Sequence, residues 1–319
     1  MAKDRVWVLA DDRAGNVAQA LGVAEALAEP FVVRTIAYDR RGGWHNLFKG
    51  AGLMGVAPAS REALAPPWPD LVLGAGRRTA PIGRWIKHRS SCRLVQLMDP
   101  GWPGRSECDL IVVPRHDDAL DRPNIFRILG SCHRVVPAVL AAEKAKWRER
   151  LACLPGPYLT VVVGGATKGK PFGADRGRQL AAGVRALHEG MGGSILVTTS
   201  RRTPPEVVDV LLADLPEPRY FFRWREGEEN PYLGFLALAD RVVVTGDSMT
   251  MCSEACANGG PVYIFSPPGL VSGKHARLHA SLFAEGYARP LGGDPTPWTH
   301  PPLNASDDVA REIRARGLL

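Results

Sequence analysis

A chain of 319 residues, 45% hydrophobic and 23% charged, has room for two domains of roughly 150 residues and is too apolar for wholesale disorder. Its net charge of +7 draws phosphates and anionic surfaces, so a nucleotide, an anionic lipid leaflet and RNA all fit, as does a merely solvated basic surface. Six cysteines without CxxC spacing exclude a zinc or disulfide framework, and no run of about 18 uncharged apolar residues marks a membrane span.

The first apolar run, Val6–Ala10, is too short for a signal peptide and ends in Asp11 and Asp12. The expectation is a cytoplasmic protein, able to lie peripherally on the inner face of the membrane. Val6–Leu9 reads as a strand. After the loop Asp11–Gly15, the residues Val17, Ala20, Leu21, Ala24 and Leu27 recur at the spacing of one helix face. Further strands are expected at Phe31–Ala37, Leu71–Leu73, Arg93–Leu97 and Leu110–Val113, each ended by polar or Gly/Pro punctuation. Between Phe31–Ala37 and Leu71–Leu73, Arg40–Lys49 mixes basic and aromatic residues, which suits either a lipid headgroup boundary or the start of a core-facing helix. A helix over Val135–Leu151 runs into Leu154-Pro155-Gly156-Pro157, the expected domain boundary.

The alternation then restarts. Tyr158–Val163, Ser194–Thr199, Arg241–Thr245 and Pro261–Phe265 read as strands. A helix carries Leu180, Ala181, Val184 and Leu187 inward, another opens at Thr203-Pro204 with threonine as its cap, and a third covers Ser248–Asn258. The expected fold is α/β, with two doubly wound Rossmann-like domains facing a central cleft: residues 1–154 on the acceptor side, 155–285 binding nucleotide, and a tail, 286–319, packing back on the first domain.

Chemistry concentrates after the strands. Gly246-Asp247-Ser248 stands where a buried strand meets a helix, a geometry suited to a diphosphate, with Glu254 placed to accept ribose hydroxyls. The alternative is that Asp247 or Ser248 caps the helix and Glu254 is a solvated charge. Gly164–Lys170 nearly spells a P-loop, but Pro171 replaces the Ser or Thr that would bind magnesium, which argues against an NTPase. Gly74-Ala75-Gly76-Arg77-Arg78-Thr79 has Thr79 where a dinucleotide fingerprint needs its third glycine, so NAD is not expected. Arg201 and Arg202 follow a strand and suit a diphosphate, with one of the two only solvated. In the first half, Asp12, Asn16, Asp99 and His116 follow strands, as candidates for general base or structural caps. Cys252 and Cys256 share a helix face as core thiols.

The segment Val242–Arg289 resembles the nucleotide-binding half of GT-B glycosyltransferases, especially the one that adds N-acetylglucosamine to the lipid-linked peptidoglycan precursor. The features held in common are the strand and small-residue turn, Ser253-Glu254, Gly260-Pro261-Val262 and His275. Where that enzyme's first loop carries a histidine, this chain has Asn16. DDRAGNVAQALGVAEAL, VPRHD, TSRRTP, NPYLGFLALAD and VTGDSMTMCSEA together resemble the family named for the plant mitochondrial-fission factor ELM1, itself similar to GT-B enzymes. The resemblance implies that Glu254 holds the ribose, with Gly246, Asp247, Ser248, Met249 and Ser253 around the diphosphate. Arg201, Thr167 and Lys168 would add phosphate contacts, and Asn230, Pro231 and Tyr232 would lie near the base or hinge. Asp12, Gly15, Asn16 and His116, with Arg77 and Asp99, would face the acceptor. It further implies transfer of a sugar from a nucleoside-diphosphate donor to a lipid-linked cell-envelope acceptor, with no metal, no other cofactor and no nucleic acid. A hydrolysing sugar-nucleotide epimerase and a non-catalytic membrane-associated scaffold are the alternatives.

Overall fold

The structure is a computed structural model that describes residues 5–118, 121–167 and 169–319. It forms two compact units, one of residues 1–134 with 304–319 and one of residues 135–303. The first holds β1 (Val6–Ala10), β2 (Phe31–Thr35), β3 (Leu71–Ala75), β4 (Arg93–Leu97), β5 (Leu110–Pro114) and β6 (Ile125–Ile128), in the order β2-β1-β3-β4-β5-β6. The second holds β7 (Tyr158–Val163), β8 (Ser194–Thr199), β9 (Arg219–Phe222), β10 (Arg241–Thr245), β11 (Val262–Phe265) and β12 (Arg289–Pro290), in the order β12-β11-β10-β7-β8-β9. Every strand pair is parallel, from Val6 opposite Phe31 to Ile195 opposite Arg219.

Among the described residues eleven α-helices accompany the strands: α1 (Ala14–Leu27), α2 (Asn46–Lys49), α3 (Pro58–Glu62), α4 (Ala80–Lys87), α5 (Pro137–Arg150), α6 (Ala174–Glu189), α7 (Pro205–Asp214), α8 (Tyr232–Leu238), α9 (Met249–Ala255), α10 (Gly273–Ala284) and α11 (Ala305–Ala315). Parallel sheets covered on both faces need strands that are apolar on both sides. In β1, Val6 and Val8 join a core with Ala20, Val23 and Ile313, while Trp7 and Leu9 join the opposite one with Ile82 and Ile86. In the second unit, Leu159, Val161 and Val163 pack under α6 and α7, and Leu196 lies in the other layer with Trp147 and Phe235.

The observed division departs from the proline-rich break at 154–157. Helix α5 packs along α8, so it belongs to the second unit. Gly234 makes this possible, because a Cβ there would lie 2.0 Å from Cδ1 of Trp147. The return to the first unit begins at Asn304 rather than at residue 286, since β12 is still a strand of the second sheet. Helix α11 is fastened there by Ser306, whose hydroxyl donates to the His133 carbonyl at 2.7 Å and accepts its N–H at 3.0 Å. No helix among the described residues is long and apolar enough to cross a membrane. Replacing Gly234 by Ala is expected to lower unfolding free energy by about 1–3 kcal/mol through overpacking. The readout is a lower urea midpoint at unchanged slope, and an unshifted midpoint would remove the close-packing account.

Candidate functional site

In the second unit the carboxyl ends of β7, β8 and β10 converge on Asp247. Its carboxylate is fully buried and accepts the N–H of Gly165 at 3.0 Å, the hydroxyl of Thr245 at 2.7 Å and Nη2 of Arg202 at 2.9 Å. Thr245 in turn accepts the N–H of Gly164 at 2.7 Å. Asp247 therefore ties the strand ends together and does not face a diphosphate. The glycines after β7 serve the same closeness: a Cβ on Gly164 would fall 2.2 Å from Asp247 Oδ1, and one on Gly165 would fall 2.0 Å from the Arg202 carbonyl.

This geometry revises the P-loop-like reading of Gly164–Lys170. The amides of Gly164 and Gly165 are engaged internally, and Thr167 and Lys170 exchange N–H···O bonds of 3.2 and 2.9 Å across a tight turn. Gly169 supplies the positive φ of +70° which that turn needs. Lys168 lies outside the described residues. The arginine pair also divides in two. Arg202 serves Asp247 and donates to the Ala166 carbonyl, whereas exposed Arg201 lines a pocket. Thr203 does not cap α7. Its hydroxyl accepts the Ser200 N–H and donates to the Val163 and Gly164 carbonyls, so α7 starts at Pro205.

The pocket measures about 210 Å³ and lies over the ends of β7 and β8. Thr198, Thr199 and Arg201 line one side, and Trp224, Asn230, Tyr232 and Met251 complete it. Asn230 Oδ1 accepts from the Thr198 hydroxyl at 3.3 Å and from the Tyr232 N–H at 3.0 Å, which sets the entry into α8. The Tyr232 hydroxyl donates to Glu254 Oε2 at 2.6 Å. Glu254 keeps slight exposure, yet protein atoms crowd its carboxyl, and burial pushes it up to about 7 against the smaller opposing effect of the Tyr232 bond. Burial, with the charge of Glu254, also raises Tyr232. Glu254 is thus not a solvated charge.

Other sequence candidates take structural places. Ser248 caps α9, accepting the Met251 N–H at 3.3 Å. Ser253 is buried and donates to the Met249 carbonyl one turn back. Gly246 is required by His279, whose Cε1 would stand 2.4 Å from a Cβ there. Met249 remains half-buried in the first turn of α9. Cys252 and Cys256 are buried thiols, both pushed up by burial. Trp224, Thr198, Thr199 and Met251 escaped the sequence reading. Strand β9 had not been recognised, so the position of Trp224 just beyond its end was hidden.

In the first unit, the nearly buried Asp11 accepts the Arg13 N–H, Asn16 Nδ2 at 3.2 Å and Arg78 Nη2 at 3.4 Å. Asp12 is also held by Arg78, whose guanidinium lies over the Tyr38 ring at 4.8 Å. Asp12 and Asn16 are therefore brought into one network, and neither caps α1. Gly15 and Arg77 are exposed beside it. Asp99 is engaged by Arg105 at 2.6 Å and by the Gly101 N–H, contacts that hold its carboxyl below the usual range, with Arg105 the larger cause. His116 is buried beside Asp117, at 3.7 Å, away from any open surface. Among the described residues no group of three or more His, Cys, Asp or Glu is placed to hold a metal ion.

The profile of the family described as mitochondrial fission ELM1 matches residues 14–317. The mitochondrial fission protein ELM1 of Arabidopsis thaliana is 29% identical over 298 residues, covering 84% of this chain and 69% of that protein. An uncharacterized protein of Rickettsia prowazekii is 26% identical over 347 residues, covering 97% of each. Among solved structures, UDP-GlcNAc 2-epimerase of Methanocaldococcus jannaschii superposes with a TM-score of 0.54 at 12% identity, over 97% of this chain and 99% of that one. The Neisseria meningitidis enzyme bound to UDP-GlcNAc gives 0.54 at 11% identity, over 98% and 99%. These similarities fix the fold as GT-B-like.

Two measurements distinguish the carboxylates of Asp247 and Glu254. Asp247→Ala leaves Arg202 and two further donors without their acceptor and is expected to cost about 2–4 kcal/mol in urea unfolding, against about 1 kcal/mol for Ser248→Ala. Equal losses would contradict the tethering role. Glu254 behaves oppositely with pH. Its folded value of about 7 stands above the ordinary 4.5, so its contribution is fully present below about 4.5 and is lost as pH rises through 7. The loss is on the order of 3 kcal/mol. Glu254→Gln should flatten that part of the stability–pH curve, and a wild-type curve already flat between pH 4.5 and 7 would refute the raised value.

Proposed function

The chain belongs to the mitochondrial fission ELM1 family, and within it we propose a glycosyltransferase that moves a sugar from a nucleoside diphosphate to a lipid-linked cell-envelope acceptor. The observation that carries this reading is Glu254, its carboxyl raised to about 7 and bonded to Tyr232, which lines a pocket together with Trp224, Asn230 and Arg201. A flat base fits against Trp224, with the Asn230 amide beside it. Ribose hydroxyls donate to the Glu254 carboxylate in place of Tyr232. Arg201 and the first-turn amides of α9 meet the diphosphate and stabilise its charge as it leaves, which requires no metal. Gly15, Asn16 and Arg77 receive the acceptor, and Asp12 is the candidate base once the incoming hydroxyl displaces Arg78 from it. Asp99 and His116 are withdrawn from that role, one by Arg105 and the other by burial.

A second reading, a hydrolysing sugar-nucleotide epimerase on the same frame, is favoured by the names of the superposing structures. Incubation with UDP-GlcNAc alone separates the two, because an epimerase needs no acceptor.

Titration calorimetry with UDP, GDP, CMP, ADP and dTDP should find at least one ligand. Glu254→Gln should weaken it by about 10–100-fold, the magnitude of a lost hydrogen bond to a charged group. Since the ionised carboxylate is the binding form, affinity should rise by about tenfold from pH 6 to pH 8, and this rise should vanish in Glu254→Gln. If none of the five nucleotides binds, the donor site is wrongly assigned.

A further inference from the structure

Eight large hydrophobic side chains are exposed among the described residues, and five of them, Trp44, Leu47, Phe48, Met54 and Trp102, lie on α2, on the loops flanking it and on the adjoining loop after β4 in the first unit. Trp44 is 51% exposed, Phe48 66% and Trp102 65%. The loops are fastened side by side. Buried Asn46 donates from Nδ2 to the carbonyls of Arg77 at 2.9 Å and Pro100 at 3.3 Å. Arg84 donates from Nη1 to those of Gly50 at 3.0 Å and Pro103 at 3.4 Å. Lys49 turns inward and donates to the Gly42 carbonyl at 2.6 Å, closing the base of α2. The aromatic residues therefore stand on a braced platform, and Trp44, His45 and Phe48 line a hollow of about 460 Å³ on it.

The unpaired charge around this platform is cationic, because the nearby carboxylates of Asp39, Asp99 and Glu107 are held by Arg41, Arg105 and Arg84. Between Asp39 and Glu62 the chain carries Arg40, Arg41, Lys49 and Arg61 and no carboxylate. Exposed Arg40 and Arg77 flank the aromatic residues. A second copy of the chain docked here about a two-fold axis would set Arg40 and Arg77 against their own images, which the repulsion of like charges disfavours. A surface that is uniformly anionic and apolar beneath complements the platform on both counts: tryptophan prefers the headgroup level, and arginines at the rim meet lipid phosphates.

We propose that the Trp44–Phe48 and Trp102 platform seats the protein on an anionic lipid bilayer, inserting its aromatic side chains at the headgroup boundary. This surface is independent of the nucleotide pocket of the second unit.

Flotation with phosphatidylcholine vesicles containing about 30% phosphatidylglycerol tests the proposal, with pure phosphatidylcholine as the comparison. The wild-type chain is expected to float with the anionic vesicles only, less so as salt screens the arginines. Trp44→Ser with Phe48→Ser should reduce the partition coefficient by about tenfold or more. Arg40→Glu should weaken binding to anionic vesicles while leaving the aromatic residues in place. Both positions of the double variant are exposed, so its urea midpoint and nucleotide binding should match the wild type, which shows that folding is not the cause. The proposal is overturned if the wild type stays unbound at low salt, or if the double variant floats equally well. It is overturned as well if the wild type sediments as a dimer that the double variant converts to monomer, since a second copy would then cover the platform.

Discussion

The Asp247 carboxylate organises the second unit. An ionised group taken out of water is tolerated only when charge and donors surround it. Here a guanidinium, a hydroxyl and a backbone amide do so, each delivered by the end of a different strand or the loop beyond it. The convergence draws the loop after β7 against the turn after β10 at Gly164 and against the loop after β8 at Gly165, so that only glycine fits at either position. The small residues that resemble a phosphate cradle in the sequence are thus accounted for by a carboxylate of the protein itself. The same closure leaves the ends of β7 and β8 as a rigid floor, on which the neighbouring pocket is built.

That floor separates two roles that adjacent arginines might have been expected to share. Arg202 is committed to Asp247, so its charge is already balanced. Arg201, one residue earlier, points its exposed side chain to the pocket. Across from it, Asn230 fixes the entry to α8 and so places Tyr232 against Glu254. A carboxyl raised by crowding is costly to keep charged, and a ligand that brings hydroxyl donors relieves that cost. Raised carboxyls of this sort, set beside a pocket-lining side chain such as Tyr232, are common at functional sites.

Much of the fold was legible because both sheets are parallel and buried. Strands β4, β7, β8 and β10 appear as short, mainly apolar runs with clear punctuation, and their bounds agree with the sequence reading. The strands that escaped it, β6, β9 and β12, all lie at or near a sheet edge and are only partly buried, so their pattern is diluted by Arg127, Arg219 and Arg289. The domain boundary was misplaced for a related reason. Proline-rich breaks report on local geometry, whereas the allegiance of α5 is decided by Trp147 packing over Gly234, a contact 87 residues away in sequence. At the candidate site, residue types were readable and partners were not. The sequence cannot distinguish the surroundings of Asp247 from those of Glu254, because the difference lies in which donors fold around each.

The first unit repeats the device with a different balance. Asp11 follows β1 as Asp247 follows β10; it accepts from a backbone amide and from Arg78, as Asp247 does from Gly165 and Arg202. Both aspartates sit where a central strand of a parallel sheet ends, the place at which such sheets expose their loops to ligands. The contrast lies in the second carboxylate. Arg78 holds Asp12 as well as Asp11, and its plane is fixed over Tyr38, whereas Arg202 serves a single aspartate. One guanidinium facing two carboxylates leaves the pair with a net negative charge, and Asp12 is the exposed member. A group that can release Asp12 without disturbing Asp11 therefore has to displace only the solvent-side half of the network. The buried half holds the loop through the Arg13 amide and Arg78, while the exposed half faces solvent.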